Sequence, residues 1–510
     1  MPARVIVISL DAAEATLVER LQAEGRLPTF ARLAAEGSVA RLGNSLESLP
    51  GGIWPELTTG RSSGKLGQYY HPRQLHTGES RLREIEADEI DACDYYWSIA
   101  SRHGRRVAVV DQPQAVLSHD LNGVQVLEWG LHDRNFGIQA HPPGLLEELR
   151  ARYGDHPVDS CDRIHGRTQA GYERLADLLL EGVEKKEALL LDLLGRENWD
   201  LFTCAFAETH CVGHQLWHYL EAAEAGDASV PKRLAEAIPA VYQRVDEAVG
   251  KLLEAAGENA TALVVLSHGM GSEVGGYQLL PELLVRLGAG SGRGRVASFR
   301  SRLPTGVRAA LRRVVPGRSR ERLQQVAGSL PWPLESSSTR AIAVPNNRVG
   351  AIRLNVRGRE PHGCIEPGAE ADSVLAELRN ALLELEDPAS GEKVVHHVVT
   401  AEEAFGVEER HPDVPDLMVV FRTDLGKIES CRSKRVGLLT TRVEKKNTPR
   451  TGDHTVESRL FAIGPDIPRG GQLPADSNVL DIAPTVLGLL DVPVPDSLDG
   501  RQLLGAASPA

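Results

Sequence analysis

Carboxylates and imidazoles that directly follow apolar runs are the residues of this chain best suited to chemistry. Asp11 ends RVIVISL (4–10), Glu208, His210 and His214 follow LFTCAF (201–206), and His268 follows ALVVLS (262–267). In open α/β sheets ligands gather beyond the carboxyl ends of the strands, so these residues are candidates for one site. His210 and His214 lie in FAETHCVGHQLWHY, which reads as a loop turning into a helix. At a spacing of i and i+4 two imidazoles share one helix face and can bind one metal. His218 continues the stripe, and the competing reading is histidines that cap or pack on a helix beside Trp217. His454, in TGDHTVES just before LFAIG (460–464), completes a set of three nitrogens. Three histidines suit zinc and leave a coordination position for water or substrate.

A hydroxyl is harder to find. SLESLPGGIWPELTTGRSSGKLGQYY places Gly51 and Gly52 ahead of a Trp-Pro, an opening for a helix whose N-terminus faces an anion. Ser48 is the nearest candidate nucleophile. His71, His76 and His103 read as surface or packed histidines. Trp129 and His132, in LEWGLHDRN, read as strand-end packing, with a place in a pocket lining as the alternative.

The elements that must position these residues are short β-branched runs alternating with longer helical patterns. Runs at 4–10, 106–110, 201–206, 262–267, 417–421 and 460–464 are nearly continuous in apolar character. That is expected of central strands covered on both faces. Stretches 173–195 and 231–255 repeat apolar residues at three and four, the helical period. The pattern predicts an α/β fold with a doubly wound, mostly parallel sheet. Residues 281–340 are rich in Arg, Gly and Ser and carry no strand of useful length, so they read as a solvated helical insertion, with an anion or partner surface as the alternative. Residues 341–425 return to mixed strand and helix, and the tail from 450, ending in SNVLDIAPTVLGLL and beyond, is expected to rejoin the first sheet.

Composition narrows the functional classes. The 510 residues carry 57 Lys and Arg against 70 Asp and Glu, a net charge of −13, and only 5% are aromatic. Neither a phosphate-binding electrostatic footprint nor a base-stacking surface follows, so no nucleic acid is expected. The six cysteines (93, 161, 204, 211, 364 and 431) have no CxxC pair and no regular spacing, which argues against a disulfide framework or a thiolate zinc site. The opening apolar stretch is too short for a signal peptide or membrane span, and no later one approaches 18 uninterrupted apolar residues. The expectation from composition is a cytoplasmic protein with no membrane partner. A homodimer is left open.

Taken together and in order, the motifs resemble the alkaline phosphatase superfamily, in particular its type I phosphodiesterase/nucleotide pyrophosphatase branch and the bacterial phosphohydrolase/phosphomutase relatives. VIVISLDA is similar to that family's opening strand and metal-binding Asp, LPTFARLAAEGSVARL to the next helix, and WPELTTGRSSGKLG to the nucleophile loop. ETHCVGH, VVLSHGMG and GDHTVESRLFAIGPDIPRG resemble the later metal motifs, VGAIRLNVRGREPHGCIEPG and PDLMVVF the intervening segment, and LDIAPTVLGLLDVPVPDSLDGRQL the ending. The resemblance implies an alkaline-phosphatase-type core over 1–280, the insertion at 281–340, a mixed α/β segment at 341–425 and core completion over 426–510. It also implies a small anionic substrate and two metals, usually zinc, one held by an Asp and two His, the other by an Asp, an Asp-His pair and the nucleophilic hydroxyl.

Carried over by position, the first metal falls to His214 and His454, with His210 where the family has Asp. The second falls to Asp11 and His268, with Ser267 where the family has Asp. Pro50 or Gly51 stands at the nucleophile position, and Ser48 serves only after realignment of the loop by two or three residues. Each exchange removes a negative charge, and a serine oxygen is a weak ligand, so the second site should bind less tightly than a His210/His214/His454 centre. Arg357, Arg359 and Glu360 resemble residues of the family segment and are expected to form a structural ion pair.

The function expected is a metal-dependent hydrolase of phosphate mono- or diesters, using zinc (one or two ions) or Mn or Fe, with Ser48 or metal-bound water attacking. Two alternatives stand beside it: a diverged metalloenzyme acting on a specialised metabolite, and a non-catalytic relative that binds an anion.

Overall fold

The computed structural model describes residues 4–44, 52–69, 73–79, 82–132, 134–162, 168–290, 338–344, 349–440 and 450–505. Ser48, His71 and most of the Arg-rich 281–340 segment lie outside these residues. The chain divides into two compact units, one of residues 1–66, 86–273 and 445–510, the other of 67–85 and 274–444.

The first unit is built on a nine-stranded sheet. Its strands in chain order are β1 (Arg4–Leu10), β2 (Ser38–Leu42), β3 (Val107–Val110), β4 (Gly123–Leu127), β5 (Gln139–His141), β6 (Leu201–Phe206), β7 (Ala260–Leu266), β10 (Ser458–Ile463) and β11 (Gly471–Gln472). Between β7 and β10 in sequence, β8 (Gly269–Ser272) and β9 (Gly452–Thr455) pair as a separate antiparallel ribbon. The sheet order is β11-β2-β10-β7-β1-β6-β3-β4-β5. β7, β1, β6, β3 and β4 run parallel, with β1 in register Val5 to Leu201 on one side and Val5 to Thr261 on the other. The expected mostly parallel sheet is therefore present, and the tail rejoins it as β10, antiparallel to both β7 and β2.

Alternation along β1 shows why apolar runs become its centre. Ile6, Ile8 and Leu10 enter one hydrophobic cluster and Val5 and Val7 the other. Both faces must be covered, so residues 5–8 and Leu10 are apolar, and the buried Ser9 is the exception. Each fully buried Val or Ile contributes about 1.5–3 kcal/mol. The helices α1 (Ile53–Thr59), α2 (Gln169–Arg196), α3 (Glu208–Glu224) and α4 (Ala237–Ala256) include the long amphipathic cover. α2 and α4 cover the two stretches read as helical, and the second of these is broken after a short helix, Lys232–Ala235.

The second unit has its own four-stranded antiparallel sheet, Ala341–Val344, Gly350–Leu354, Leu417–Phe421 and Val395–Thr400 in spatial order. The run 417–421 belongs here rather than to the main sheet, because a buried apolar strand carries the same pattern in either. Ion pairs tie this sheet to its loops: Arg359 bonds Glu360 and Asp416, and the fully buried Arg353 bonds Glu360 at 2.7 Å. Arg357 differs from expectation by pairing with Glu366 at the surface. His76 is packed against Asp413, and His103 donates to the Ile99 carbonyl, so both are structural. Among the described residues no helix is long and apolar enough to cross a membrane.

Candidate metal centre

Three parallel strands end at one edge and deliver the candidate residues there. Asp11 follows β1, His268 follows β7 after Ser267, and β6 passes through Ala207 alone into α3, which carries His210 and His214. Thr209 Oγ1 donates to the Asp11 carbonyl at 2.6 Å, joining the start of α3 to the end of β1. The β8–β9 ribbon brings His454 opposite Met270, beside His268. Asp11, His210, His214, His268 and His454 are all buried.

The close approach of α3 and β9 depends on two glycines. A Cβ on Gly452 would stand 2.4 Å from the Gly213 carbonyl oxygen, and one on Gly213 would stand 2.7 Å from Met270. That contact seats His214 Nδ1 at 2.7 Å from the Gly452 carbonyl. A carbonyl can only accept, so Nδ1 carries the ring proton and Nε2 presents a lone pair. Glu14 fixes the ribbon from the other side: one carboxylate oxygen accepts from Met270 N at 3.0 Å and from Thr455 Oγ1 at 2.7 Å.

His214 Nε2 lies 3.1 Å from His210 Nε2 and 3.1 Å from His454 Nε2. Three converging imidazole nitrogens, one of them a fixed lone pair, are satisfied together by a cation. Tetrahedral zinc with Zn–N of ~2.0–2.1 Å would separate its nitrogens by roughly 3.3 Å, close to the spacing found. Burial first, then the neighbouring His214, His132 and His454 rings, holds His210 well below the ordinary histidine value. That ring is thus neutral at pH 7, the state in which imidazole ligates. His218, the next residue of the stripe, does not join them; its Nδ1 meets Thr451 Oγ1 at 3.0 Å.

Asp11 and His268 form a second, looser pair, with Oδ1 and Nε2 3.8 Å apart. Ser267 Oγ donates to the Leu10 carbonyl and lies 3.0 Å from His268 Nδ1. The serine therefore accepts the His268 Nδ1 proton and frees Nε2, whose lone pair meets no hydrogen-bond donor. Burial pushes the His268 imidazole down to about 3. Ser267 orients the imidazole beside it and turns its own hydroxyl to the Leu10 carbonyl. Asp11 Oδ1 also accepts from Trp54 Nε1 of α1 at 3.1 Å. In the same helix Thr58 and Thr59 donate to the carbonyls of Trp54 and Pro55, so both hydroxyls are occupied within α1.

Glu208 turns away from the histidines. Its Oε1 bonds His156 at 3.0 Å and lies 3.5 Å from Lys186, which also contacts Asp111 at 3.2 Å. This fully buried charge network anchors the first turn of α3. Sequence reading missed Lys186, Asp111 and His156, because a charged residue on an amphipathic helix or at a strand end normally signals a solvated face.

The structure also brings together two of the scattered cysteines and a histidine that the sequence reading did not connect. Cys161, Cys211 and His132 are buried with their ligand atoms all within 4.8 Å of one another. His132 Nδ1 lies 3.1 Å from Cys161 Sγ, and the His132 ring packs 4.7 Å from that of His210. Arg450 grips Asp162 with two nitrogens, at 2.9 and 2.8 Å, and approaches His132 Nε2 at 3.2 Å. Trp129 is a packed core residue, as expected, and the buried His132 contacts Cys161, Arg450 and the His210 ring. The one available signal was that Cys211 adjoins His210 at a strand end.

The fold is shared with solved structures. Murine ectonucleotide pyrophosphatase/phosphodiesterase 5, an inactive form in complex with AMP, aligns over 97% of this chain and 96% of its own at 13% identity, with a TM-score of 0.51. Phosphonoacetate hydrolase from Sinorhizobium meliloti 1021, in complex with phosphonoformate, aligns over 95% and 94% at 13% identity, also with a TM-score of 0.51. The human ectonucleotide pyrophosphatase/phosphodiesterase 5 aligns over 99% and 97% at 11% identity, with a TM-score of 0.51. No curated protein matches the sequence. The family model described as type I phosphodiesterase/nucleotide pyrophosphatase matches residues 5–435, from β1 through the motifs of Asp11, His214 and His268 and across the second unit. The chain therefore belongs to the type I phosphodiesterase/nucleotide pyrophosphatase family.

Proposed function

We propose that the protein is a metal-dependent hydrolase of phosphate or phosphonate esters, with its principal ion held by His210, His214 and His454. The observation that carries this reading is the convergence of three buried Nε2 atoms, two at 3.1 Å from the third, at the carboxyl edge of a parallel sheet. Zinc, manganese or iron fits such a donor set, and when bound the ion polarises phosphoryl oxygens and activates an attacking water.

The chain's own residues supply the rest. The Gly452 carbonyl holds His214 in the ligating tautomer, and Ser267 does the same for His268. Asp11 and His268 offer a weaker second position. With three neutral imidazoles in place of the family's mixed set, the centre keeps more positive charge, which favours an anionic substrate. No hydroxyl of α1 is available as nucleophile, which supports attack by water; Ser48 remains the side-chain alternative.

The test is hydrolysis of bis(p-nitrophenyl) phosphate, p-nitrophenyl phosphate and a p-nitrophenyl phosphonate by protein loaded with zinc, manganese or iron. Turnover of at least one, abolished in His454→Ala and retained in Ser48→Ala, is expected. Turnover untouched by His454→Ala contradicts the reading. The neutral ligand set also favours a second reading, a diverged metalloenzyme with another reaction, which predicts bound metal without turnover of any of the three.

A further inference from the structure

We propose that His132, Cys161 and Cys211 form a second, thiolate-containing metal site that takes zinc, separate from the imidazole triad. Two sulfurs and an imidazole nitrogen, all buried and within 4.8 Å of one another, are a donor set for a soft or borderline cation. Three protein donors leave one position of a tetrahedral zinc for a further ligand.

The three residues come from separate places: His132 from the segment after β4, Cys161 from the segment before α2, and Cys211 from the first turn of α3. A shared ion would join these segments directly behind His210, whose ring already packs on His132 at 4.7 Å. The site would then act structurally, holding the turn that carries the triad's first ligand.

The surroundings suit an ion. Arg450 Nη2 can only donate, so its contact with His132 Nε2 leaves the ring proton on Nδ1, facing Cys161 Sγ at 3.1 Å. Binding moves that proton to Nε2, releases the two thiol protons to solvent, and forms one nitrogen and two sulfur bonds to the cation. The Arg450 guanidinium keeps Asp162, which it already holds through Nε and Nη2. Gln215 donates to Asp162 and to Cys161 Sγ at 3.0 and 3.8 Å, the outer contacts that orient ligands in metal sites. Because the donors are enclosed, the ion would enter as the chain folds.

Full-length protein produced in cobalt-supplemented medium and purified under reducing conditions tests this. The expected result is a thiolate-to-cobalt charge-transfer band in the near ultraviolet, present in the wild type and in His454→Ala, and lost in Cys211→Ser. Absence of the band from reduced, cobalt-containing wild type overturns the proposal, as does its persistence in Cys211→Ser. X-ray absorption on the cobalt kept by His454→Ala needs no cysteine variant and so covers failure of Cys211→Ser to fold. Two sulfur neighbours at about 2.3 Å support the site, and a shell of nitrogen and oxygen alone refutes it.

Discussion

Replacing Lys186 by Met would test whether the buried charge network under α3 is an electrostatic necessity. Lys186 is fully buried, donates to the Gly130 and Ala205 carbonyls at 3.1 Å each, and lies 3.2 and 3.5 Å from the Asp111 and Glu208 carboxylates. At an effective dielectric constant of about 20, each charge pair is worth roughly 5 kcal/mol before desolvation is counted. Desolvation of the ammonium cancels much of this while the network is intact. Removing the cation leaves two buried carboxylates uncompensated, a situation that costs about 3–5 kcal/mol. We expect a loss of about 4 kcal/mol in urea unfolding at pH 8. Five of the six tryptophans (54, 97, 129, 199 and 217) belong to the first unit, so their fluorescence reports on it. Arg150→Met, which breaks the exposed pair with Asp155, is the control and should lose less than about 1 kcal/mol. In the Lys186 variant a carboxylate's folded pKa rises above its unfolded value, so the folded state binds more protons and stability recovers as pH falls from 8 toward 5.5. A loss equal to that of the control, with no recovery on acidification, would refute the reasoning.

Three further outcomes follow from the centre. Gly452→Ala places a Cβ against the Gly213 carbonyl, shifts the acceptor of His214 Nδ1, and should weaken zinc binding about 10–100-fold by calorimetry; unchanged affinity would show that the glycine contact does not position His214. Because burial, with the neighbouring His214, His132 and His454 rings, holds His210 well below the ordinary histidine value, protonation of this ligand should cost zinc affinity only below the ordinary histidine range; a steep fall beginning near 6.5 that is lost in His210→Ala would show that ring titrating normally. Ser267→Asp should add a second zinc equivalent by placing a carboxylate beside Asp11 and His268, while lowering apo stability because the new charge meets the Leu10 carbonyl; a thermal shift with and without zinc reads both, and no added equivalent rules out the pairing.

The parallel sheet was legible because buried central strands need apolar residues on both faces, and the gathering of the candidate side chains because strand ends bring such residues to one edge. Thus β1, β6 and β7 were readable within a residue or two, and so were the residues after them. Which sheet Leu417–Phe421 joins was not legible, since burial leaves the same mark in either. Ser267 could be read as a missing ligand but not as the acceptor of the His268 proton, which depends on the Leu10 carbonyl across the strand pair. The Cys161–Cys211–His132 cluster joins three segments distant in sequence, and no local pattern records such a meeting.

The most direct test of the centre is elemental analysis of purified wild type beside His210→Ala, His214→Ala, His454→Ala and His218→Ala. The account predicts that each of the first three loses one metal equivalent per chain, while His218→Ala, whose ring bonds Thr451 and not the triad, retains the wild-type content. Equal metal content in all five proteins would contradict it.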